Sequence, residues 1–234
     1  MPRITKEKFK VMHNVFDRFT SRNLFKLISE DYFSGLESPI AVGKEANIFS
    51  ALGPKGRVMV KIYRLETCDF NRMYDYIKYD TRYENLKKRK RKVILAWVQR
   101  EFRNLHKARE ADVRVPTPMT FKENIIVMEF VGNENIIAPR LKDKKPKNPK
   151  EFLEEIINNL RRMYKSGLVH ADLSAFNILN FNDKPVFIDF SQCSTLKHPR
   201  AEEFLNRDIR NICTFFRKLG LKLDEGRIRK KIEE

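Results

Sequence analysis

The chain has 234 residues, 41% hydrophobic and 11% aromatic, which excludes a disordered composition and suffices for one large domain or two small lobes. No apolar run approaches the roughly 20 residues of a membrane-spanning helix, the start MPRITKEKFK lacks an apolar leader core, and three cysteines without a CxxC pair argue for reduced thiols over a disulfide framework or a zinc site. A net charge of +17 favours a polyanionic partner, and a soluble cytoplasmic protein with no membrane contact is the expectation.

In chain order, residues 4–33 place Phe9, Met12, Phe16 and Phe19, then Leu24, Leu27 and Ile28, at helical spacing. That predicts two helices broken near Thr20–Asn23, within an N-terminal helical extension over residues 1–37. AVGKEANIFSALG and GRVMVKIY then read as two strands joined by a GPKG turn. Val58, Val60 and Ile62 share one face of the second strand; Met59, Lys61 and Tyr63 share the other. A lone lysine there reads as a residue of a solvated sheet face.

Residues 64–92 end in KKRKRK and read as a basic insertion, either a flexible loop or a partly ordered helix. The run itself is either solvated or in contact with RNA or phosphate. Residues 93–109 predict a helix with Leu95, Val98, Phe102 and Leu105 as its apolar stripe and Glu101 beside it. VRVPTPMTF and ENIIVMEFVG predict two more strands, and residues 132–150 a polar connector. Asn148, Pro149 and Glu151 mark a helix start, and Gly167 its stop. Beyond residue 190 the pattern is helical, with Phe204, Leu205, Ile209, Ile212, Phe215 and Phe216 as core positions.

The most informative stretch is VHADLSAFNILNFNDKPVFIDF. NILNF and PVFIDF predict a hairpin around Asn182–Asp183–Lys184. Centring the turn on Asp183 puts Asn177 opposite Asp189, with Cβ atoms about 5 Å apart. An amide oxygen beside a carboxylate is a minimal clamp for a hard cation, and Asp172 lies at the start of the same loop. The alternative is an Asx-type loop held by its own hydrogen bonds. An aspartate ending a buried strand favours function, because burying a charge without a partner is costly.

These residues resemble protein kinases in order and spacing: Lys61 in VKIY, Glu101 on a helix, Asp172 to Asn177 as D-x-x-x-x-N, and Asp189 in IDFS. HAD stands for HRD and DFS for DFG; GKEANIF replaces a glycine-rich loop, and no A-P-E follows. With WVQREFRNL, LVHADLSAFNIL and FIDFSQ, the chain resembles the first subgroup of the RIO family of atypical serine/threonine kinases over about residues 38–216. The family's usual Ser-Thr before GKEA is Ala41–Val42 here, and Ala175 stands where glutamate is common.

The resemblance implies an α+β, bilobal kinase-like fold: a mostly β N-lobe over residues 38–131 and a reduced, mostly helical C-lobe over 132–234. It implies that Asp172 orients a hydroxyl or water, and that Asn177 and Asp189 hold magnesium or manganese. Lys61, oriented by Glu101, would meet the phosphates of ATP. Gly43, Lys44, Glu45, Ala46 and Asn47 would fold over those phosphates, Met128 to Phe130 would present the hinge, and Leu179 and Ile188 would contact adenine. A second chemistry, ATP hydrolysis through an aspartyl-phosphate on Asp189, is also implied, as is a role in maturing small ribosomal subunits with rRNA and ribosomal proteins as partners. The alternatives are a non-catalytic RNA- or pre-ribosome-binding module and, less favoured, a small-molecule kinase.

Overall fold

A five-stranded antiparallel sheet forms where the hydrophobic alternation is densest. The computed structural model describes residues 16–133 and 136–234, so the helix positions Phe9 and Met12 lie outside the described residues. The chain divides into two units, the first made of residues up to 74, 86–102 and 118–130. Its strands are β1 (Leu36–Val42), β2 (Ala46–Gly53), β3 (Gly56–Tyr63), β4 (Pro118–Lys122) and β5 (Ile125–Glu129), in spatial order β1-β2-β3-β5-β4. The run expected as one strand from Ala41 therefore divides into β1 and β2. Gly43 turns the chain between them: its N–H donates to the Ala46 carbonyl at 3.0 Å, and a Cβ there would lie 2.9 Å from that oxygen.

Val58, Val60 and Ile62 bury one face of β3 with Ala51, Ile125 and Val127. Helix α1 (Arg18–Ser29) adds Leu24 and Leu27 to that cluster. Burial of each such side chain stabilises the unit by about 1.5–3 kcal/mol. The predicted break near Thr20–Asn23 is absent. The helix passes through because its polar residues find local partners: Thr20 donates to the N-cap Asp17 at 2.8 Å and accepts from Asn124 at 2.9 Å, while Ser21 reaches the Phe16 carbonyl at 3.4 Å.

Of the two alternatives for residues 64–92, the helix is found: α2 (Phe70–Ile77) buries Met73 and Ile77, and a 3-10 turn follows at Thr81–Tyr83. Helix α3 (Lys90–Glu110) buries Ile94, Trp97, Val98, Glu101, Leu105 and Ala108. The stripe is thus rotated from the expected one. Leu95 and Phe102 are half-buried, and Glu101 lies within the buried face instead of beside it.

The second unit comprises residues 75–85, 103–117 and 131–234. The expected polar connector holds a short hairpin, β6 (Gly132–Asn133) with β7 (Ile136–Ile137). Helix α4 (Pro149–Lys165) starts at Asn148, whose side chain accepts from the Glu151 N–H, and ends before Gly167, at φ 78°. Strand β8 (Leu168–Val169) precedes the hairpin of β9 (Ile178–Phe181) and β10 (Lys184–Phe187), and β11 (Ser194–Thr195) pairs back with β8. Helices α5 (Ala201–Arg217) and α6 (Glu225–Glu233) complete the unit, α6 packing on both α4 and α5. On α5, Phe215 is half-buried, and Cys213 takes the buried place expected for it. The three cysteines are free thiols. Among the described residues no helix is long and apolar enough to cross a membrane.

Candidate functional site

In the first unit, Lys61 stands at the centre of the sheet, paired across the ladders with Ile48 and Ile126. Lys61 and Tyr63, two residues apart, leave β3 on the face opposite the apolar cluster. Helix α3 brings Glu101 to both. Lys61 Nζ donates to Oε1 at 2.7 Å, and the Tyr63 hydroxyl donates to Oε2 at 2.5 Å. The ammonium also lies 5.1 Å from the Tyr63 ring centroid. Lys61 is 8% exposed and Glu101 1%. A buried ion pair stabilises a fold little more than apolar residues of similar size would. What it does supply is a cation with a fixed direction in a dry setting.

The turn from Gly43 to Asn47 is shaped through its carbonyls. Lys44 accepts from Thr67 Oγ1 at 2.9 Å; Glu45 accepts from the Arg64 N–H at 2.9 Å and from Cys68 Sγ at 3.1 Å. Asn47 Oδ1 is buried without a hydrogen-bond partner among the described residues. Met128 is buried inside the β3–β5 ladder, and Phe130, half-buried, lies just past the end of β5.

In the second unit the hairpin register departs from expectation by one place. Its turn has two residues, Asn182 and Asp183, both left-handed at φ 51° and 63°, the type I′ geometry that matches strand twist. Phe181 pairs with Lys184 and Ile178 with Phe187, so the next partner of Asn177 is Ile188, whose N–H donates to the Asn177 carbonyl at 3.0 Å. Asn177 does not sit opposite Asp189. Asp189 lies one step further, where the backbone turns left-handed at φ 62°, a conformation that costs a non-glycine residue about 1–3 kcal/mol.

The structure brings Asp172 and Asn177 together. Asn177 Nδ2 donates to the Asp172 carbonyl at 2.8 Å and to its Oδ2 at 3.2 Å; Gln192 Nε2 reaches the same Oδ2 at 3.4 Å. With its nitrogen so engaged, Asn177 leaves its amide oxygen without a partner among the described residues. A free amide oxygen and a nearby aspartate suit a hard cation that draws its other ligands from water and phosphate. Among the described residues, no group of three or more His, Cys, Asp or Glu could form an all-protein cage. Leu179 is buried with Val131, Ala138 and Val186, and Ile188 lies half-buried at the rim of that cluster.

Three residues of α5 outside the sequence-predicted set hold this loop in shape. Asp208 on α5 is fully buried and accepts from the Ala171 N–H at 2.8 Å and the Leu173 N–H at 2.7 Å. Burial pushes its carboxyl up to about 7, against the pull of those two N–H groups and of Arg207. Arg207 donates to the Ala171 carbonyl, and Asn211 to that of Leu173. Ala171 itself is left-handed at φ 67°. An acid in register with Phe204, Leu205 and Ile212 was the available signal, since an aspartate on a buried stripe needs partners. His170 has Nε2 3.1 Å from the Ile188 carbonyl. Burial lowers it to about 4, opposed by the charge of Asp189, so it is neutral near pH 7 and places the residue before Asp189.

A family model for the RIO domain matches residues 47–228. The RIO-type serine/threonine-protein kinase Rio1 of Haloferax volcanii is 43% identical over 219 residues, 93% of this chain and 76% of that protein. The protein of the same name from Methanocaldococcus jannaschii is 42% identical over 91% of this chain and 73% of its own length. Among solved structures, the Rio2 kinase-ADP/Mg2+-phosphoaspartate complex from Chaetomium thermophilum matches with a TM-score of 0.67 at 23% identity, over 90% of this chain and 65% of that one. A second Rio2 kinase structure from the same organism matches with a TM-score of 0.66 at 21% identity, over 98% of this chain and 69% of that one. At that identity the likeness is one of fold.

Proposed function

Because the chain belongs to the RIO family of atypical serine/threonine-protein kinases, in its Rio1 subgroup, we propose that it uses Mg-ATP both to phosphorylate serine or threonine and to hydrolyse ATP, in the cytoplasm, during maturation of the small ribosomal subunit. The observation that carries the site assignment is the joining of Asp172 and Asn177 through one amide, with the amide oxygen left over. Asp172 orients the attacking hydroxyl or water and accepts its proton, so its work is mainly positioning. Asn177 Oδ1 and the Asp189 carboxylate would hold magnesium. The ion, when bound, neutralises charge on the phosphate oxygens.

Lys61 meets the α/β-phosphates, and Glu101 fixes its direction. The turn Gly43, Lys44, Glu45, Ala46 and Asn47 covers the phosphates, the backbone from Met128 to Phe130 binds the adenine edge, and Leu179 with Ile188 gives it an apolar wall. Asp189 is also the carboxylate proposed to take the γ-phosphoryl group in the hydrolytic cycle: its oxygen attacks phosphorus, ADP leaves, and water then cleaves the acyl phosphate. The phosphoaspartate named for the Rio2 complex makes that route worth testing. For the ribosomal partner, rRNA with its proteins, the support is family membership, together with a +17 charge and exposed residues Lys87 to Lys92.

The test is magnesium-dependent ATP turnover and autophosphorylation in the purified chain. Asp172→Ala is expected to lower both by about 10²–10⁴-fold while ATP still binds. Full activity in Asp189→Asn would remove the metal and phosphoryl-acceptor roles.

A further inference from the structure

Gln192 reaches Asp172, yet its own bonding does not explain why it stays there. Its Nε2 lies 3.4 Å from Asp172 Oδ2, a long hydrogen bond, and its Oε1 is buried without a partner among the described residues. A buried acceptor left unpaired is costly. The side chain is therefore placed by its backbone, and the backbone is held from outside. Gln192 lies in the turn from Phe190 to Cys193, closed by the Cys193 N–H on the Phe190 carbonyl at 3.2 Å. Asn104, fully buried, donates to both ends of that turn, at 3.3 Å to the Phe190 carbonyl and 2.8 Å to the Cys193 carbonyl.

Asn104 is held in turn. Its Oδ1 accepts from Arg82 Nη2 at 3.0 Å. Arg82 is fixed by a two-pronged pair with Asp80, Nε to Oδ1 at 2.8 Å and Nη2 to Oδ2 at 2.6 Å, and Asp80 is only 7% exposed. A bidentate, partly buried arginine–carboxylate pair is geometrically stiff. The contacts therefore run unbroken from Asp80 through Arg82, Asn104 and the 190–193 turn to Gln192 and Asp172.

We propose that Gln192 is a positioning residue for Asp172, and that Asp80, Arg82 and Asn104 form the brace that keeps it in place. Residues 80–82, within the stretch that reads from sequence as a basic insertion, thereby set the geometry of the reacting carboxylate. The inference rests on the role proposed for Asp172.

The experiment compares Gln192→Ala, Asn104→Ala and the double variant in the full chain. The readouts are kcat for ATP turnover, affinity for a fluorescent ADP and the thermal midpoint. Each single change is expected to lower kcat about tenfold to a hundredfold, the scale of a small misplacement, with nucleotide affinity unchanged within about twofold. Because both act through one turn, the double variant should be no slower than the slower single. Multiplying effects, or unchanged kcat per folded molecule, would overturn the brace. If Asn104→Ala does not fold, Arg82→Ala decides: a lowered kcat at unchanged nucleotide affinity supports the brace, and an unchanged kcat removes it. Asp172→Ala runs alongside. If it stays active, the role of Asp172 itself fails; if it is inactive while Gln192→Ala is normal, only the brace fails.

Discussion

The two units hold their key charges by different means. In the first, Lys61 and Glu101 are buried and neutralise one another directly, across a sheet and a helix. In the second, Asp172, Asn177 and Asp189 are only half-buried, and a buried carboxyl is set back at Asp208, accepting from the loop's backbone N–H groups. A directly paired charge ties function to stability. A loop braced from behind separates the two, so its reacting side chain can be lost without loss of the fold.

That contrast breaks most visibly at Asp172. Asp172→Ala is expected to lower phosphoryl transfer about 10²–10⁴-fold while the urea midpoint of unfolding barely moves. A large loss of stability would show that the second unit is built like the first. Next in size is Lys61→Met, which strands Glu101 in a dry setting and should destabilise the first unit by about 3–5 kcal/mol. Adding Glu101→Leu should recover most of that stability in urea titrations without recovering ATP affinity. Recovery of both would mean that the lysine serves only the fold.

A smaller effect is expected at Asp208. Asp208→Asn keeps one acceptor for the Ala171 and Leu173 N–H groups and turns a donor toward the other. The loosened loop should slow turnover about tenfold, the cost of one charge-assisted hydrogen bond. The sign of its pH effect is opposite to that of a salt-bridged acid. The folded carboxyl titrates near 7 and the ordinary value is 3.8, so folding takes up a proton between those values. Its contribution to stability is full below about pH 4 and is lost as pH rises through about 7. Thermal midpoints of Asp208→Asn across that window should fall less with rising pH than those of the wild type.

The smallest effect is the counterpart at His170. Folding lowers it from 6.5 to about 4, so its contribution is present above pH 6.5 and is lost as pH falls to about 4. In His170→Gln the acid-side fall of the midpoint should flatten. If neither variant changes these slopes, the buried groups behind the loop are not what sets its pH response.

Much of this was legible from residue pattern. The capped helix from Pro149, the facing of β3, the hairpin at residues 178–187 and the proximity of Asp172 to Asn177 follow from short-range rules of spacing and caps. The errors have two origins. The hairpin register slipped because Asn182–Asp183–Lys184 fits a two- or a three-residue turn equally well, and one residue moves every partner. The α3 stripe was rotated because Glu101 is polar and was assigned to the margin, whereas Lys61 and Tyr63 make the buried face hospitable to it. Asp208 and Asn104 went unmarked for the same reason: each is a polar residue whose partner lies far away in the chain.

By itself, then, the order of residues determined the strands and helices, the face on which Lys61 stands and the kinase-like series of motifs, since these depend on neighbours within a few positions. Only the folded chain decided which polar groups are buried together. Lys61 with Glu101, Asp208 with Ala171 and Leu173, and Asn104 with Phe190 and Cys193 are 35 to 89 positions apart. The energy that makes such burial tolerable comes from a partner that packing alone supplies.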